Sequence, residues 1–183
     1  FWRGESGSVT GIKRNRLKTL LANDINLYAY HLPLDAHPVL GNNAGLAKAA
    51  GWQQSGVFGE QGLGCIGTPE AGSNVQSLTD KLTKVLGRAP FVLAETPDQP
   101  IRRVAWCTGG AQSYFEAAIQ AGADVFVTGE VSEPMVHLAR ETGAAYIAAG
   151  HHATERFGVQ ALGEAIAGQF GIQVSYLEVD SPV

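Results

Sequence analysis

A chain of 183 residues is long enough for one large domain or two small ones. Its 45% hydrophobic and 16% charged residues are the composition of a packed globular protein, and a formal net charge of −4 argues against general nucleic-acid binding. No run approaches the roughly 18 consecutive apolar residues of a membrane span, and no signal-peptide pattern is present, so a cytoplasmic protein with no membrane partner is expected. The only cysteines, Cys65 and Cys107, form no C-x-x-C pair, as in a reduced intracellular protein.

In chain order, residues 14–23 are predicted to form a helix whose basic cluster (Lys13, Arg14, Arg16, Lys18) reads as a solvated face. Ile25–Tyr30 reads as a strand running into His31-Leu-Pro-Leu-Asp35. Residues 42–50 suit a short helix stopped at Gly51, and the glycine-rich stretch 52–72 has no clear assignment. Ser73 is placed to cap a helix reaching Leu86 and stopped by Gly87. The turn-forming Thr96-Pro-Asp-Gln-Pro100 marks a boundary. Beyond it, strands are predicted at 103–107, 123–128, 144–149 and 172–179, alternating with helices at 111–121, 134–141 and 153–169. Continuous apolar strands alternating with helices define an α/β fold with mainly parallel sheets. In such sheets the turns after the strands share the carboxyl rim where ligands bind, so Thr108, Thr128, Glu130 and His151 should gather there.

Gly150-His151-His152-Ala153-Thr154-Glu155 places a histidine and a glutamate four apart, on one helix face. Neutral imidazole with carboxylate suits Zn, Mn or Fe. Glu155 serving the helix N-terminus, with the histidines as polar loop residues, accounts equally well for the pattern. The second signal, His31-Leu-Pro-Leu-Asp35-Ala-His37-Pro38, also follows an apolar strand. Asp35 has two oxygens with which to bridge a pair of ions, or it caps a turn before Pro38. His31 and His37 are positioned to orient ligands or exchange protons. The turn Thr108-Gly-Gly110 before a helix is a weak phosphate cradle lacking the P-loop and G-x-G-x-x-G patterns. Ser113 lacks the G-x-S-x-G context of a nucleophile.

In this order the motifs resemble the family of GTP cyclohydrolase 1 type 2 homologues, also called the Ngg-interacting-factor-like family, especially its bacterial short-form members. The resemblance covers essentially the whole chain. Its carriers are Lys13-Arg-Asn-Arg-Leu-Lys-Thr-Leu-Leu21, His31-Leu-Pro-Leu-Asp35-Ala-His37, Gly41-Asn-Asn43, Val104-Ala-Trp-Cys-Thr-Gly-Gly110, Val127-Thr-Gly-Glu130 and Gly150-His-His-Ala-Thr-Glu155. It implies two interlocked α/β lobes, a two-metal site in the cleft between them, and a ring-shaped homohexamer. Residues 1–60 would then be the remainder of a first lobe, 61–100 a connecting segment and 101–183 the second lobe. The family's metal ligands fall on Asp35, His151 and Glu155. The resemblance also implies a preceding segment ending in a His-His pair, with Phe1-Trp2 matching the aromatic pair that follows it. This chain would be a piece of the longer protein, truncated within its first lobe and keeping three of five side-chain ligands.

The expected function is that of a dinuclear-metal-dependent hydrolase acting on a nucleotide or related small molecule. In the full-length subunit Asp35, His151 and Glu155, with the upstream histidine pair, would hold two divalent ions (Zn, Mn or Fe), and His31, His37, Glu130 or His152 would act as acid or base, His31 foremost. The family label implies opening of the guanine ring of GTP, with release of formate and formation of dihydroneopterin triphosphate. The alternative is a non-catalytic, metal-binding ring-shaped scaffold or regulator engaging another protein. A metal-free nucleotide-binding module rests only on the Thr108 turn.

Overall fold

The computed structural model describes residues 4–182; Phe1-Trp2, matched above to an aromatic pair, lies outside them. The chain divides after Tyr30 into two units.

In the first unit, α1 (Gly11–Ala22) starts at Thr10 and buries none of its residues. The segment 25–30, expected as a strand, has no strand partner among the described residues, and Ile25, Leu27, Tyr28 and Tyr30 are exposed. Alternating apolar residues alone do not make a strand, because its backbone groups need a neighbouring ladder.

From His31 onward the chain builds one six-stranded sheet in the order β1-β2-β4-β5-β6-β3. The glycine-rich stretch left unassigned by sequence is an antiparallel hairpin of β1 (Gln53–Phe58) and β2 (Gly64–Thr68). Next to it lie β4 (Val104–Trp106), β5 (Val125–Thr128) and β6 (Ala145–Ala148), mutually parallel, and β3 (Phe91–Leu93) closes the far edge antiparallel to β6. The sheet is therefore mixed, with the parallel strands at its centre.

Alternation along those central strands sorts the core. Val104, Trp106, Val125, Val127, Ala145 and Ile147 face one layer, formed by α3 (Asn42–Ala50) and α4 (Val75–Leu86). Ala105, Phe126 and Tyr146 face the other, where α5 (Phe115–Gln120) and α6 (Glu133–Thr142) contribute Phe115, Ala118 and Ala139. Burial on both faces is what near-continuous apolar strands require. Asn74, rather than Ser73, caps α4: its side chain accepts the Ser77 N–H at 2.8 Å, and Ser77 Oγ accepts the Asn74 N–H in return.

The helix expected over 153–169 is two helices, α7 (His151–Glu155) and α8 (Phe157–Phe170). A regular helix would give the Gly158 N–H to the Thr154 carbonyl. Asn42 Oδ1 takes it instead at 2.6 Å, so the chain bends at Arg156. The expected strand at 172–179 forms no strand among the described residues, for the same reason as 25–30.

Asn43 ties three elements together. Its Oδ1 accepts the Thr108 N–H, its Nδ2 donates to the Leu63 carbonyl, and its own carbonyl accepts Trp106 Nε1–H. Asn43→Ala is expected to lower stability by about 2 kcal/mol, because the Thr108 amide loses its acceptor inside the core. A lower urea midpoint with an unchanged slope would confirm this.

Candidate metal centre

The turns after β4, β5 and β6 lie side by side at the carboxyl rim, stitched by backbone bonds. Gly129 N–H donates to the Gly109 carbonyl at 2.8 Å and Gly150 N–H to the Gly129 carbonyl at 3.0 Å. Thr154 is fully buried; its Oγ1 accepts the Gly109 N–H and donates to the Gly150 carbonyl, fixing the start of α7 against the β4 turn. Gly129 leaves no room at this junction. A Cβ there would sit 2.6 Å from the Gly109 carbonyl oxygen and 2.6 Å from the His151 Cα.

Opposite this rim, α2 (Leu32–Asp35) carries Asp35, which is buried. Asn42 Nδ2 donates to Asp35 Oδ1 at 2.7 Å while Asn42 Oδ1 holds Gly158. One amide thus braces Asp35 to the start of α8. Asn42, Asn43 and Thr154 were not singled out by sequence reasoning; Gly41-Asn-Asn43 and the threonine of the His151–Glu155 stretch were visible only as motif residues.

Three donor side chains converge. One ligand atom each from His31, Asp35 and Glu155 lie within 4.8 Å of one another. Donors about 2.1 Å from one ion are at most about 4.2 Å apart, so small side-chain adjustments suffice to enclose a cation. His151 adjoins this group, with its Nε2 3.1 Å from Glu155 Oε2 and its Nδ1 2.6 Å from Glu130 Oε1. Of the residues expected as acid or base, His31 therefore stands among the donors and Glu130 against His151. His37 is used locally: its Nδ1 accepts the N–H groups of Val39 and Leu40, capping the turn after Asp35. His152 turns away, pairing with Glu178 at 2.8 Å.

Charge in the site favours a cation. Burial raises the Glu155 pKa, and the Asp35 charge raises it further, outweighing His151 and His31. The hydrogen bond from His151 holds Glu130 below its ordinary value of 4.5. Burial pulls His151 down, but the Glu130 and Glu155 carboxylates outweigh it and raise His151 above 6.5. A lowered acid stabilises above its unfolded pKa, and a raised base stabilises below its own. In metal-free protein, both contributions are complete only between pH 4.5 and 6.5. The stability difference between wild type and Glu130→Gln should therefore peak in that window and shrink on either side; melting temperatures across pH test it.

An α/β sheet with histidine and carboxylates converging at its carboxyl rim defines a protein class with a candidate divalent-metal centre. Comparison with known proteins sharpens this. The family described as Duf34/NIF3 (NGG1p interacting factor 3) matches residues 1–182, and the chain belongs to it. Its relatives include the GTP cyclohydrolase 1 type 2 homolog of Neisseria meningitidis serogroup A, 50% identical over 182 residues, the match covering 100% of this chain and 73% of that protein. The GTP cyclohydrolase 1 type 2 homolog of Escherichia coli (strain K12) is 48% identical, with the same coverage. Among solved structures, protein ybgI, described as of unknown function, superposes with a TM-score of 0.94 at 48% identity, covering all of this chain and 73% of that one.

Proposed function

We propose that the protein is a metal-dependent hydrolase of a small, nucleotide-type molecule. The observation that carries this reading is the convergence of His31, Asp35 and Glu155 within 4.8 Å. Imidazole with two carboxylates fits Zn, Mn or Fe, and the oxygens of Asp35 and Glu155 suffice to bridge two such ions. His151 completes the donor set through Nε2. Such ions supply Lewis-acid polarisation and make water more acidic. Asp35, braced by Asn42, and Glu155, anchored on α7, hold their oxygens toward the same point. His31, the more exposed of the donors, either completes the coordination or moves the proton that the attacking water gives up.

The relatives' printed name suggests the substrate to try first. In the conversion of GTP to dihydroneopterin triphosphate, two waters would open the imidazole ring and release formate, and closure of the rearranged ribose onto the freed amine would return one. The protein would act in the cytoplasm as a homo-oligomer, for which a hexamer is the expectation; the exposed apolar residues Phe170, Ile172, Leu177 and Val179 support association. No helix among the described residues is long and apolar enough to cross a membrane.

Elemental analysis of the purified protein, followed by a GTP turnover assay with Zn, Mn and Fe, tests the reading. About two ions per chain with formate release supports it in full. Metal without GTP turnover, but with hydrolysis of another nucleotide, removes only the substrate. Absence of metal after incubation with all three ions overturns the hydrolase and leaves a scaffold that binds another protein.

A further inference from the structure

The sequence offers Glu130 as an acid or base, but its surroundings assign it different work. Both of its carboxylate oxygens are engaged. Oε1 lies 2.6 Å from His151 Nδ1, and Oε2 accepts a hydrogen bond from Gln112 Nε2 at 3.2 Å. The backbone on either side of the carboxylate is held too, since the Glu130 carbonyl accepts the Tyr146 hydroxyl and Gly129 is bonded into the rim. Gly110 passes so close that a Cβ there would stand 3.3 Å from Glu130 Oε1. The carboxylate is thus fixed between His151 and Gln112, and is not itself a member of the His31, Asp35 and Glu155 donor group.

An ionised carboxylate only accepts hydrogen bonds. Facing Nδ1 at 2.6 Å, closer than the 3.1 Å that separates Nε2 from Glu155 Oε2, Glu130 favours the ring hydrogen on Nδ1. The other nitrogen, Nε2, is the one 3.1 Å from Glu155 Oε2. In neutral imidazole with its hydrogen on Nδ1, Nε2 carries the lone pair, directed at the donor group. We propose that Glu130 is a positioning residue, which with Gln112 behind it sets the ring orientation and tautomer of His151 and so presents Nε2 as a metal ligand. This rests on the metal-centre reading above. A carboxylate or carbonyl behind a ligating imidazole fixes the ring and increases its basicity, and losing such a partner weakens metal binding by about 10–100-fold.

Two variants and two readouts test it. Zn and Co affinities are measured for wild type, Glu130→Ala and Glu130→Gln, with the visible absorption of the Co form recorded. Glu130→Ala should bind both ions about 10–100-fold more weakly, with an altered Co spectrum. Glu130→Gln keeps an oxygen able to accept Nδ1–H, so it should retain most of the affinity and the wild-type Co spectrum. The second readout needs no metal: ¹⁵N spectra of the histidine rings in metal-free protein at alkaline pH. Wild-type His151 should carry its hydrogen on Nδ1, and Glu130→Ala should show mixed tautomers. Should Glu130→Ala fail to fold, the Nδ1–H proton in Glu130→Gln decides, moving upfield if the carboxylate holds it and staying put if not. Unchanged metal affinity in both variants, or a wild-type hydrogen on Nε2, overturns the inference while the hydrolase reading stands. A wild type that binds no metal removes that reading and, with it, the ligand role inferred for His151.

Discussion

Replacing Asp35 and Glu155 together with alanine should reduce the metal bound by the full-length protein to none detectable by elemental analysis. Each carboxylate contributes charge as well as an oxygen, and among the described residues no other acid joins His31 in the donor group. The single variants should differ in how they fail. Glu155→Ala removes a carboxylate that is costly to bury ionised, so metal-free Glu155→Ala should be as stable as wild type or slightly more so. Asp35→Ala strips Asn42 Nδ2 of its acceptor in a buried setting, at a cost of about 1–3 kcal/mol. Loss of metal with retained cooperative unfolding in both variants would establish a site separable from the fold. Two ions persisting in the double variant would place the metal elsewhere.

A large structural effect is expected from one added methyl group. Gly129→Ala puts a Cβ against the Gly109 carbonyl oxygen and the His151 Cα, each at 2.6 Å, and against the His151 nitrogen at 2.8 Å. All three are backbone atoms, so relief requires moving the β4 turn or the start of α7 rather than rotating a side chain. Such overpacking costs on the order of 3 kcal/mol, lowering the melting temperature by roughly 6–12 °C in a chain of this size. The displacement also shifts His151 relative to Glu155, so metal affinity should fall with stability. Gly168→Ala is the matched control. It lies in α8 with nothing within 4 Å of the added carbon, and should stabilise by about 0.5–1 kcal/mol. Equal melting temperatures for the two variants would refute the crowding at the rim.

The central strands were legible because each is apolar up to the turn that follows it, Thr128 at the end of β5 excepted, and such a run near a glycine turn has few alternatives to a doubly covered strand. The gathering of Thr108, Thr128, Glu130 and His151 followed from the same pattern, since parallel strands put their exits on one edge, and Glu155 came with His151 from their spacing on one helix face. The hairpin at 53–68 was not legible: its glycines, Gly56, Gly64 and Gly67, obscure the alternation that marks a strand. In the opposite sense, 25–30 and 172–179 look like strands, yet a strand depends on a neighbour that local sequence does not encode. The roles of His37 and His152 also depended on distant or backbone partners. His37 spends its Nδ1 on two turn amides, and His152 meets Glu178 from 26 positions away. The break between α7 and α8 had the same origin, because the acceptor that captures the Gly158 amide is Asn42.

That capture bears on the order of folding. The strand pairs β4–β5 and β5–β6 join residues about 20 positions apart, and their closure entropy is modest. The Asn42–Gly158 bond spans 116 positions. Contacts of such separation form late, once local pairings have shortened the effective loop. Asn42, which braces Asp35, is joined to the start of α8 by that bond, so the nascent chain should bring Asp35 and Glu155 together at the end of folding. A metal ion would then be captured by an almost finished molecule rather than serving as its nucleus.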